Sequence, residues 1–358
     1  MDRYSNPWVV ATCKNDEYTR THVEKWFENL PRRVKPDFFA RLRSKKDGDF
    51  LSAFHELLFH QYCLEENWKV TKDKLINNTT PDLYIDDKKG NKFYIEVLVL
   101  QKSNEDKKKD ELFNKLLRSL DKIETQYLLS VHLKGNVTDS TNIPKVVETI
   151  SNWLSPLTVE EKADLEINDF GFSGEITARP RNDIPMTGNM FSWSPPGGSF
   201  SFPTERIKNE LRKKIRKYNF LKDMGIPLII AVCSDDRPLI SHESLDWTLY
   251  GRMVVTWEIN NPKSETKISR DNSGFATPNP GLMWETRNKG MSAVIFCSRH
   301  WEEKRVLYDM RVYHNPWAIN KLSDELFKKM PQFAEVKIDP KFITLKWIND
   351  NKQKIVFS

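Results

Sequence analysis

The chain predicts a mixed α/β fold, a β-sheet flanked by helices. A helical stripe runs through residues 50–66, and a hairpin of two short strands follows at 83–87 and 92–100. Later apolar runs at 226–234 and 292–298 read as strands and follow a strongly helical stretch at 204–222. Alternation between the 3.6-residue and two-residue periods along one chain is the pattern of helices laid on a sheet.

In chain order, residues 1–50 are polar and aromatic, with helices expected around 21–29 and 36–42. Asp49 introduces the helix over 50–66, whose stripe is Phe54, Leu57, Leu58 and Tyr62. WKVTK (68–72) is the first expected strand. LYIDD (83–87) and KFYIEVLVL (92–100) form a hairpin turning at Gly90 and Asn91. The second of these strands is almost wholly apolar after Phe93, which implies burial on both faces. The charged stretch 102–123 carries Leu112, Phe113, Leu116, Leu117 and Leu120, a stripe suited to core packing. A strand at 127–133, a helix at 143–154 starting near Pro144, and a strand at 171–180 follow. Residues 182–203, rich in Pro, Gly and Ser, read as a long irregular loop. Beyond the basic helix 204–222 come strands at 226–234, 253–259 and 292–298, then the segment 305–318, a helix at about 323–329 and short closing strands. Within 305–318, YHNPWA reads as a structural turn fixed by Pro316.

Composition narrows the function without naming it. The 358 residues suffice for one large domain or two ordinary ones, and 39% hydrophobic residues can build a sizeable core. A net charge of +6 fits a phosphate-rich partner and equally an ordinary basic enzyme. Cys13, Cys63, Cys233 and Cys297 are scattered, which argues against a zinc cluster or a disulfide framework; Cys233 and Cys297 lie in apolar runs and read as buried thiols. No apolar run reaches the roughly 18 residues of a membrane span. The opening MDRYSNPW lacks a charged-then-apolar leader pattern, so a soluble cytoplasmic protein is expected.

The chemistry concentrates between residues 53 and 102. Asp82 follows Pro81 at the start of one hairpin strand, and Glu96 interrupts the apolar run of the other. Cross-strand neighbours lie about 5 Å apart, so one divalent cation can bridge both carboxylates. A buried carboxylate needs a counter-charge. The competing reading is therefore an ion pair between Glu96 and a basic residue of a neighbouring helix. Glu56 lies on the preceding helix with His60 one turn on; this acid is suited to orienting a water or second ion, and the histidine to a phosphate contact or proton relay. The plain alternatives are a surface glutamate and a satisfied core histidine.

The order Glu56, Pro81-Asp82, Glu96 resembles the PD-(D/E)xK, or restriction-endonuclease-like, superfamily. The segments AFHELLFHQ, TPDLYI, FYIEV, IPLIIAVC, MSAVIFC and YHNPWA resemble an uncharacterised bacterial branch of it. The chain departs from the superfamily pattern at Leu98, where a lysine should follow the third-motif acid. Lys102 shares the face of Glu96 but falls past the strand end; Lys214, on the basic helix, is the preferred substitute. The resemblance implies a restriction-endonuclease-like core at 46–240, with an N-terminal helical extension at 1–45 and a C-terminal α+β region at 241–358. It implies a Mg2+- or Mn2+-dependent nuclease acting on DNA in preference to RNA, with a role in defence against foreign DNA by analogy alone. Asp82, Glu96 and the Val97 carbonyl would hold the ion, and Glu56, Asp82, Glu96 and Lys214 would be catalytic. His60, Lys102, Arg212, Lys213 and Lys217 would grip nucleic acid, with Phe191, Trp193, Phe200 and Phe202 available to stack on bases. The alternative is an inactive nuclease-like module that binds nucleic acid or a protein partner; a homodimer is a further open expectation.

Overall fold

The structure, a computed structural model, describes residues 17–44, 46–100, 104–158, 162–181, 190–194, 204–234, 240–251, 253–256, 267–270, 282–283, 288–302, 305–338 and 343–350. It is mixed α/β. The chain forms two compact units, residues 1–101 with 202–358, and residues 102–201. This division differs from the expected cuts at 45 and 240. The N-terminal helices share a core with the hairpin, and the C-terminal strands extend the same sheet.

The first unit opens with α1 (Glu17–Glu28), α2 (Lys35–Leu42) and α3 (Asp47–Glu65). α2 starts with Pro36 in its first turn, where the missing N–H leaves no bond unmade. Strands β1 (Lys69–Lys72), β2 (Leu83–Asp86) and β3 (Lys92–Val99) follow. Asp87 shapes the β2–β3 turn by accepting from the Lys89 and Asn91 amides, and Gly90 takes φ +103° there.

After residue 202 come α6 (Thr204–Lys217), β8 (Leu228–Ser234), α7 (His242–Tyr250), β9 (Met253–Thr256), β10 (Lys267–Arg270), β11 (Ala293–Glu302), β12 (Arg305–His314), β13 (Gln332–Ile338) and β14 (Ile343–Asn349). One ten-stranded sheet takes the order β1-β2-β3-β8-β11-β12-β13-β14-β10-β9. β3, β8 and β11 run parallel in its middle, and β2 pairs antiparallel with β3.

Two faces explain the apolar run in β3. Phe93, Ile95 and Val97 join Ile229 and Ala231 of β8 beneath Phe54, Leu57 and Leu58 of α3. On the other face, Tyr94, Leu98, Ile230 and Val232 join Leu211 and Ile215 of α6 and Tyr218 just past its end. A fully buried side chain of this size contributes about 1.5–3 kcal/mol relative to exposure. A charge in the middle of β3 must therefore be answered locally.

The basic helix ends earlier than expected. α6 stops at Lys217, and Asn219–Met224 forms a 3-10 turn closed by Gly225 at φ +71°. The helix expected at 323–329 is a run of turns. Phe327 takes φ +59° while it packs against Tyr62, Trp68 and Phe93, and Met330 N donates to Phe327 O in an i to i−3 bond. YHNPWA is a turn held from within: the Asn315 side chain donates to Met291 O and accepts from Trp317 N. Cys63, Cys233 and Cys297 are buried free thiols.

The second unit contains α4 (Asn104–Asp121), β4 (Tyr127–Leu133), α5 (Ile143–Leu154), β5 (Ala163–Asp169), β6 (Phe172–Pro180) and β7 (Met190–Ser194). Its four-stranded sheet runs β5-β6-β4-β7. Leu116, Leu117 and Leu120 of α4 are buried, as the stripe requires. Asn142 caps α5 by accepting from Lys145 N. β7 lies inside the stretch that reads as irregular loop, and β5 was not foreseen. Both follow from pairing with neighbours rather than from local pattern, since ADLEIND alternates charges more than apolar groups. Among the described residues, no helix is long and apolar enough to cross a membrane.

Candidate metal centre

The hairpin register brings the two key acids together. Leu83 pairs with Ile95 and Tyr84 with Tyr94, so one step beyond β2 sets Asp82 opposite Glu96. The Asp82 amide donates to Glu96 Oε2 at 3.3 Å, and the Val97 amide donates to Asp82 Oδ2 at 2.7 Å. Each carboxylate is thus tied to the other's strand. Glu96 is 2% exposed, and Asp82 is half-buried with its carboxyl enclosed.

The counter-charge for Glu96 comes from α6. Lys214 Nζ donates to Glu96 Oε1 at 2.6 Å across 118 residues of sequence. Leu211, Ile215 and Tyr218 anchor that face of the helix, and Lys214 lies between them at 29% exposure. The Tyr218 hydroxyl reaches the Thr80 carbonyl at 3.5 Å, the limit of a hydrogen bond.

Glu56 occupies a second ionic cluster. Arg41 of α2 grips its carboxylate with both terminal nitrogens at 2.7 and 3.1 Å. Lys72, at the end of β1 and fully buried, donates to it at 2.8 Å, and Ser52 adds a hydroxyl at 3.2 Å. The Arg41 guanidinium and the Lys72 ammonium also lie over the Phe38 ring, at 4.6 and 4.9 Å. This corrects the expectation that Glu56 orients a water or second ion: its oxygens are already shared between two cations.

Charge follows geometry. Burial raises the Asp82 carboxyl, and the nearby charges of Glu56 and Glu96 add to that, lifting it from the ordinary 3.8 to about 8. For Glu56, burial alone would act upward, but Lys72 and Arg41 outweigh it and hold the group at about 2. Burial opposes the Lys214 ammonium, yet attraction to Glu96, with Asp82 and Glu56 beyond, raises it. Tyr218 is pushed up by burial and by Glu96. Among the described residues, no Lys or Arg nitrogen pairs directly with Asp82.

His60 does not face a polymer in solvent, which corrects its placing among nucleic-acid contacts. It is 2% exposed on α3, and its Nδ1 has no partner among the described residues. Burial and the Lys72 charge lower it from 6.5 to about 4, so it is neutral at pH 7. The unfolded chain then takes up a proton near 6.5 that the folded chain refuses until about 4. Stability should therefore fall as pH drops through that window, by about 3 kcal/mol from this group. His60→Leu should remove close to one proton from the slope of unfolding free energy between pH 6.5 and 4, measured by urea titration. An unchanged slope would contradict the burial argument.

On the outer surface of α6, Lys213 and Lys217 are exposed and Arg212 is half-buried. Lys213 pairs with Glu210, Arg212 with Asn209, and Lys217 lies over the Tyr218 ring at 4.7 Å. Lys102, Phe200 and Phe202 lie outside the described residues, as do the side chains of Phe191 and Trp193.

Sequence reasoning missed Lys72 and Arg41. Lys72 had a faint signal as the last residue of an alternating strand, ten positions before Asp82. Nothing in the short α2 segment marks Arg41.

The donor set suits a hard cation. Two carboxylates and a neighbouring backbone carbonyl match the one or two carboxylates Mg2+ ordinarily takes from protein. The Lys214 ammonium already stands where a cation meets Glu96. Among the described residues, no group of three or more His, Cys, Asp and Glu side chains is placed to hold one ion. No protein-family model, curated protein or solved structure matches the chain.

Proposed function

We propose that the chain is a divalent-metal-dependent nuclease that hydrolyses phosphodiester bonds in DNA. The observation that carries this reading is the meeting of Asp82, Glu96 and Lys214 from three separate segments, with Lys214 Nζ 2.6 Å from Glu96. It also accommodates the departure at Leu98, because the lysine absent from β3 arrives from α6. Asp82, Glu96 and the Val97 carbonyl would hold Mg2+ or Mn2+. When bound, such an ion polarises a phosphate and lowers the pKa of its water. Lys214 offsets the charge that develops on the phosphate in the transition state. Glu56, with Arg41 and Lys72, is a positioning cluster that fixes the wall behind Asp82. The exposed cations Lys213 and Lys217 supply charge for the phosphate backbone.

A second reading is a nuclease-like module that binds without cutting, favoured by Leu98 and by the direct pairing of Glu96 with a lysine. Incubating the protein with plasmid and single-stranded DNA, with Mg2+ or Mn2+, separates the two. Cutting that chelation of the metal abolishes supports the first; salt-sensitive binding without cutting supports the second.

A further inference from the structure

We infer that Lys214 and a divalent cation compete for the same carboxylate, so that ion binding and release of the Lys214 ammonium are one coupled event. The inference rests on the metal-centre reading above and deepens it. Glu96 is buried, with Oε2 turned to the Asp82 amide and Oε1 held by Lys214 at 2.6 Å. A divalent ion binds carboxylate oxygen at about 2.0–2.1 Å. An ion shared by Asp82 and Glu96 would therefore stand within a few ångströms of the ammonium, in a site with little water to screen the repulsion.

Lys214 can yield, whereas the fully buried Lys72 cannot. Lys214 is 29% exposed, so its head has a route outward, and its stem lies on a helix anchored independently by Leu211, Ile215 and Tyr218. Lys72 is fully buried and fixed to Glu56, and Arg41 grips Glu56 with two nitrogens. The outward route carries a positive charge to the surface, where a phosphate can meet it. Occupancy of the metal position and delivery of the lysine to substrate thus become the same movement. One consequence is weak affinity for the ion alone, tightened when phosphate draws Lys214 away.

The test is Mn2+ binding to the full chain, followed by the paramagnetic resonance of the free ion. Lys214→Met should bind Mn2+ at least about tenfold more tightly than the wild type. Lys328→Met, which removes a lysine that pairs with Glu325 elsewhere on the surface, should bind as the wild type does. A second measurement needs no variant. Acetylation of Lys214 by acetic anhydride, read by peptide mass spectrometry on the wild type, should rise several-fold when Mn2+ is added. Equal or weaker Mn2+ binding by Lys214→Met, or unchanged acetylation while Mn2+ binds, would overturn the competition and leave the metal centre standing. Absence of Mn2+ binding in both wild type and Lys214→Met would overturn the metal centre itself.

Discussion

Replacing Glu56 with alanine is expected to lower the unfolding free energy by about 3–5 kcal/mol, the usual cost of removing one partner from a buried ion pair. The reason is Lys72. It is fully buried, and its ammonium donates to Glu56 at 2.8 Å. Without that carboxylate, a positive charge remains in an apolar wall formed by Phe38 and its neighbours. Arg41 is 25% exposed and can turn to Asp37, its second partner, so it adds less. Urea unfolding measures the effect. A companion variant, Glu56→Leu with Lys72→Met, should recover much of the loss, because an apolar pair of similar volume no longer strands a charge. A loss below about 1 kcal/mol for the single variant would mean that water reaches Lys72.

Asp82→Asn should separate stability from activity. The amide oxygen of asparagine can still accept the Val97 N–H, so the local tie between strands survives. What disappears is a negative charge crowded by burial, Glu56 and Glu96. The sign of the pH dependence follows from the raised pKa. The unfolded chain loses this proton near 3.8, and the folded chain keeps it to about 8. Wild-type stability should therefore decline as pH rises across that window. The variant lacks the decline, and its thermal midpoint should exceed the wild type's most clearly above pH 8. Its cleavage rate should fall about 100-fold or more, the scale on which a lost electrostatic group acts at the reacting centre. A residue that costs stability while serving chemistry is the signature of a functional site. If Asp82→Asn were less stable than the wild type at every pH, Asp82 would be structural.

How much of this was legible beforehand differs from residue to residue. The hairpin was legible because an alternating strand just after Asp82 and an apolar strand interrupted by Glu96 flank a short turn, where turn chemistry and the pleat fix the register. The buried face of α3 and the two-sided burial of β3 were legible for the same reason: runs of apolar side chains have few places to go. Lys214 could be named because it lies four residues before Tyr218 on the basic helix and is the substitute the resemblance implies for the lysine missing at Leu98. The distance of 118 residues between it and Glu96 is set by tertiary packing that no local window contains. Arg41 and Lys72 stayed hidden because a charged residue in sequence looks solvated until its partner is known. His60 was misplaced for a related reason: its neighbours Phe59 and Gln61, one apolar and one polar, do not reveal a helix buried on every face. Turns that depend on a remote core, such as Phe327 at φ +59°, and the strand β7 inside a Pro- and Gly-rich stretch failed locally because distant contacts override propensity.

On the proposed reading, Asp82 at the mouth of β2, Glu96 of β3 and Lys214 of α6 form one metal-dependent phosphodiester-cleaving centre. Its most direct measurement is the rate at which wild type and Glu96→Ala nick supercoiled plasmid in Mn2+, with circular dichroism confirming that both are folded. The wild type should nick in a metal-dependent manner, and the variant should lose at least about 100-fold. Equal rates in the two proteins, or no nicking by folded wild type in either Mg2+ or Mn2+, would contradict it.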